Sequence, residues 1–150
     1  MKKLICFGLI CIFCLAFALS STTKTLPNDF ALSKVQVFTN TQSQDVNGFD
    51  KIENGAGYVY FCDFQNSKFL ISKLNDVEGV TYILDGKYAD YLNLKNLLNI
   101  KSIEQTDDGC VGFCDYFSFN AFYMGKKVNV QMAFSMNKIY VGSPLILGCY

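Results

Sequence analysis

Apolar and polar positions divide the chain into stretches with different rhythms. Residues 4–19 form an uncharged apolar run behind Lys2 and Lys3, and polar Ser20, Ser21, Thr22 and Thr23 follow it. Residues 21–56 are dominated by Ser, Thr, Asn, Gln and Asp, with one apolar alternation at Val35, Val37 and Phe38. This segment reads as a polar spacer carrying one short strand. From residue 57 the pattern sharpens. Residues 58–63 are rich in β-formers, and Asn66 or Ser67 is placed to cap a helix that carries Leu70, Leu74 and Val77 at i, i+4 and i+7, closed by Gly79. A second strand over 80–84 ends at Asp85-Gly86, and a second helix over 89–99 puts Tyr91, Leu94 and Leu98 on one stripe.

The second half reads as strands joined by turns. A strand over 100–106 turns at Asp108-Gly109 into a strand over 110–119. Gly125-Lys126 turns into residues 127–136, where Val128, Val130, Met132, Phe134 and Met136 alternate with Lys127, Asn129, Gln131, Ala133 and Ser135, the pattern of a strand with one wet face. Asn137-Lys138 turns into a last strand over 139–142. Helices first and strands afterwards imply an α+β domain at 57–150, an antiparallel sheet with two helices packed on one face.

The opening run adds a location to this picture. A basic start, a sixteen-residue apolar core and small residues before the polar boundary make residues 1–20 an export signal, with cleavage expected after Ser20 or Ala18. The run is slightly long for a signal core, so retention as a membrane anchor is the alternative. Ile5, Ile10 and Phe13 precede Cys6, Cys11 and Cys14, where a lipidation signal needs a small residue. Loss of Lys2 and Lys3 with the leader leaves 11 lysines against 13 acidic residues, a net charge of −2. Such a balance gives no electrostatic basis for nucleic acid.

Absent residue types narrow the chemistry. The chain has no His, no Arg and no Trp. Ser-His and Cys-His nucleophile pairs and His-bearing zinc sites are therefore excluded, as is bidentate guanidinium recognition of phosphate. Acid–base work would fall to carboxylates, Lys or Tyr. Cys62, Cys110, Cys114 and Cys149 follow the leader, an even number suited to an oxidising compartment. On one continuous strand Cys110 and Cys114 would lie about 13 Å apart, beyond the roughly 7 Å reach of a disulfide. Bridges to Cys62 and Cys149, free thiols and a thiolate metal site all stay open. Asp107-Asp108-Gly109 reads as a turn rather than a calcium site. Val111, Phe113, Phe117 and Phe119 are expected to be buried, with Tyr116 and the cysteines on the opposite face. Tyr116 together with Asn129 and Gln131 from the wet face of the later strand marks a possible contact surface.

Three segments carry a resemblance to a known family: residues 79–86 (GVTYILDG), residues 125–133 (GKKVNVQMA) and residues 141–148 (VGSPLILG). Together they resemble the YwmB-like proteins, exported proteins of low-GC Gram-positive bacteria. The resemblance spans roughly residues 57–150 and implies a curved antiparallel sheet backed by helices, like that of the TATA-box-binding protein. It brings no active-site residue and no cofactor. The function expected is a non-enzymatic cell-envelope binding module that contacts an envelope protein or a wall component, with the membrane touched only through an uncleaved leader. The alternative is a carboxylate- or thiol-dependent enzyme acting on cell-wall material.

Overall fold

Strand-forming alternation governs most of the chain in the computed structural model, which describes residues 24–40, 44–55 and 57–146. A 3₁₀ turn at Asn28–Leu32 leads into β1 (Lys34–Thr39), β2 (Asp50–Asn54) and β3 (Gly57–Asp63). Helix α1 (Phe64–Lys73), β4 (Val77–Asp85) and α2 (Tyr88–Leu98) follow, then β5 (Lys101–Gln105) and β6 (Gly109–Phe113). The last strands are β7 (Ala121–Tyr123), β8 (Lys126–Val128), β9 (Val130–Ser135) and β10 (Lys138–Ser143). Eight of them form one sheet in the order β2-β3-β1-β4-β10-β9-β6-β5, while β7 and β8 make a separate hairpin. Every described pairing is antiparallel. The α+β architecture therefore holds.

Side-chain alternation sorts the sheet into two faces, and the strand register identifies them. Cys62, Val35, Tyr82, Val141, Met132, Cys110 and Gln105 are successive cross-strand partners from β3 to β5. Most of this row is buried beneath Leu70 of α1 and Tyr91, Leu94 and Leu98 of α2. Phe30 from the 3₁₀ turn meets Tyr82 edge-on, with ring centroids 5.0 Å apart. Tyr91 packs with Phe134 and Tyr88 from the other end of the core. At about 25 cal/mol per Å² such burial is the main stabilising term.

The sheet begins earlier than the sequence implies, which corrects the spacer at 21–56. β1 lies between β3 and β4 near the middle of the sheet, and Val35 and Val37 are core residues. The leader at residues 1–20 lies outside the described residues. Helix α1 also starts and stops sooner than expected. Asp63 is its N-cap and Leu74 its C-cap, so Val77 and Gly79 belong to β4. No described helix is long and apolar enough to cross a membrane.

Candidate functional site

The face away from the helices has its own cross-strand row: Asp50, Phe61, Gln36, Thr81, Gly142, Gln131, Val111 and Glu104, one residue from each of the eight strands. Apolar and amide or hydroxyl side chains are mixed here. Ion pairs fix the ends of neighbouring strands, Lys34 with Asp63 and Lys138 with Asp85. Part of the face is crossed by the chain itself. A Cβ on Gly142 would lie 2.4 Å from the backbone of Leu145 and of Ile146, so only glycine admits this close approach. Gln131 Oε1 anchors the crossing segment by accepting a hydrogen bond from the Ile146 amide at 2.9 Å.

Beyond Gln131 the β7–β8 hairpin reaches the sheet edge, where the Tyr123 hydroxyl donates to Glu104 Oε2 at 2.6 Å. Between hairpin and edge lies a groove of about 370 Å³, bounded by Glu104, Thr106, Asp108, Tyr123, Gln131 and Ser135 among others. Its lining is rich in acceptors and hydroxyls. The Thr106 hydroxyl donates to Asp108 Oδ1 at 3.0 Å, which fixes that carboxylate beside the β5–β6 turn. The hydrogen bond to Glu104, and then its charge, raise the pKa of Tyr123 above the ordinary phenol range, so this phenol is a proton donor in the bond. Among the described residues no group of three or more His, Cys, Asp or Glu side chains could hold a metal ion.

The expected contact surface of Tyr116, Asn129 and Gln131 does not exist as one face. Asn129 is 1% exposed and works as a clamp. Its Oδ1 accepts from the Cys114 amide at 2.9 Å, and its Nδ2 donates to the carbonyls of Cys114 at 2.7 Å and Phe117 at 2.8 Å. It falls between β8 and β9, where the alternation is interrupted, so counting by twos from Lys127 assigned it to the wrong side. Tyr116 sits in a turn after β6, with the Lys24 ammonium over its ring at 5.4 Å. Of the three, only Gln131 lines the groove. Glu104 and Tyr123 were missed because each is unremarkable in its own strand and only the tertiary fold pairs them.

The strand expected over 110–119 stops at Phe113, so extended-strand spacing does not describe Cys110 and Cys114. Val111 is buried and Phe117 and Phe119 pack partly buried against the core, as expected, but Phe113 is exposed and both cysteines are buried in the core, the reverse of their expected facing. Cys62, Cys110 and Cys114 are free thiols, and Cys149 lies outside the described residues. Five strand steps separate Cys62 from Cys110 in the covered row, about 24 Å at a typical strand spacing, which rules out a bridge between them. Burial, reinforced by the charge of Asp63, pushes the Cys62 thiol up to about 11. Burial raises Cys114 as well.

No family model, curated protein or solved structure matches the chain.

Proposed function

We propose that this is an exported cell-envelope protein of a low-GC Gram-positive bacterium, YwmB-like, with a sheet of the TATA-box-binding-protein kind. It acts as a non-enzymatic binding module. The ligand is an envelope protein segment or a wall component that lies along the helix-free face and enters the groove beside Glu104 and Tyr123. The observation that carries this reading is the placement of both helices on one face of the sheet and of a polar groove on the other, a face whose middle is itself buried at Thr81 and Val111. Two helices cover one face, while the other face ends in a polar groove whose acceptors suit amine and hydroxyl donors.

The thiol-dependent enzyme has less support, because a nucleophilic thiol needs a lowered pKa and Cys62 and Cys114 are shifted the other way. Soluble wall fragments added to the purified protein test the proposal. The expected outcome is saturable binding that Glu104→Gln weakens about tenfold, with the fragments recovered chemically intact. Fragments hydrolysed or rearranged, with activity lost in the same variant, would replace the module by an enzyme.

A further inference from the structure

Two hairpin turns break a local rule in the same way. Met124-Gly125 joins β7 to β8, Met136-Asn137 joins β9 to β10, and φ is positive at all four residues: 47°, 73°, 51° and 59°. Two-residue turns with both φ values positive are of type I′, whose first position favours Asn, Asp or Gly. Met suits neither the left-handed backbone nor water. Yet Met124 is 80% exposed and Met136 is 92% exposed, and Phe122 beside the first turn is 80% exposed. Tyr123 and Ser135, the residues directly before the two methionines, line the same groove, so the two tips flank it.

Charge on the first hairpin is arranged by face. Phe122 and Lys127 are cross-strand partners and share the outward side, whereas Tyr123 and Lys126 share the side turned toward Glu104. Both lysines are exposed and neither forms one of the described ion pairs. The nearby carboxylates Glu104 and Asp108 belong to the groove behind the hairpin. An apolar tip next to unpaired lysines matches the boundary between acyl chains and anionic headgroups, where each cation near the surface adds to the attraction.

We infer that the β7–β8 tip, flanked by Met136, docks on a lipid surface rich in anionic headgroups, with Phe122 and Met124 entering the acyl boundary and Lys126 and Lys127 in the headgroup plane. This contact goes beyond the groove and holds whatever ligand the groove takes.

The absence of Trp provides a local reporter. Residues 4–19 are apolar enough to enter lipid on their own, so vesicle binding by the full chain is not itself the readout. Phe122→Trp in the full chain is mixed with phosphatidylglycerol-containing vesicles, and separately with pure phosphatidylcholine vesicles. Phe69→Trp, on α1 against β1 and β3, is the control. The expected result is a blue shift of Phe122→Trp emission on the anionic vesicles only, no shift of Phe69→Trp, and about fivefold weaker titration for each of Lys126→Gln and Lys127→Gln. Met124→Asn keeps the turn and weakens the titration further. Emission of Phe122→Trp that stays unshifted on anionic vesicles, or shifts equally on both kinds, overturns the assignment.

Discussion

The two faces of the eight-stranded sheet are built from the same strands, one residue out of step, and they differ in side-chain character and in what covers them. On the covered face the row from Cys62 to Gln105 is almost wholly apolar and is closed by helices. On the other face the row from Asp50 to Glu104 mixes Phe61 and Val111 with Gln36, Thr81 and Gln131, and among the described residues it is crossed by the chain's own return past Gly142 and reached by the β7–β8 hairpin. The first face supplies most of the apolar core, and the second carries the polar groove. A one-residue register slip would exchange them, which is why the register is firmly specified.

Paired substitutions on one strand break this comparison most strongly. Met132 is 0% exposed on the covered face, and Met132→Ala removes its packing at a cost of about 2–5 kcal/mol in urea unfolding. Its open-face neighbour Ala133, tested as Ala133→Ser, is expected to change stability by about 0.5 kcal/mol or less. Similar costs for the two would show that both faces are packed. The clamp at Asn129 should rank close behind Met132. Asn129→Ala orphans one buried amide and two carbonyls, and about 3 kcal/mol is expected in the same assay.

Alkaline titration tests the covered face through its chemistry. Burial, with a smaller contribution from Cys62, pushes Tyr82 up to about 12 from 10.0, and Cys62 itself rises to about 11 from 9.0. In the unfolded chain both groups lose their protons first, so the native state binds more protons over this range and stability falls as pH rises. The loss begins near pH 9 and runs to about pH 12. Unfolding curves across that interval check it, with Tyr82→Phe flattening the slope above pH 10. A further effect lies at the groove's rim. Met124→Asn relieves a left-handed Met and is expected to raise Tm by about 2–4 °C, a gain of about 1 kcal/mol.

Local periodicity made some of this legible from residues alone. Tyr91, Leu94 and Leu98 mark α2 because a helix buries one stripe whatever it packs against. Asp85-Gly86 marks the end of β4 because turn chemistry is local too, whereas the turn expected at Asn137-Lys138 falls one residue earlier, at Met136-Asn137. What failed depended on distant partners. The Val35 and Val37 alternation is short and lies among polar residues, yet β1 becomes central by pairing with β3 and β4. Gly79 looked like a helix stop, but it is a strand residue opposite Phe38. The groove was invisible for the same reason, since Glu104, Tyr123 and Gln131 come from three strands that meet only after folding.

The central claim is that ligands meet the helix-free face. Amide chemical shifts of the full chain, followed while soluble wall fragments are titrated in, test it most directly. The account predicts perturbations concentrated at Glu104, Val111, Tyr123 and Gln131 around the groove, with α1 and α2 unchanged. Perturbations confined to the exposed sides of those helices would contradict it.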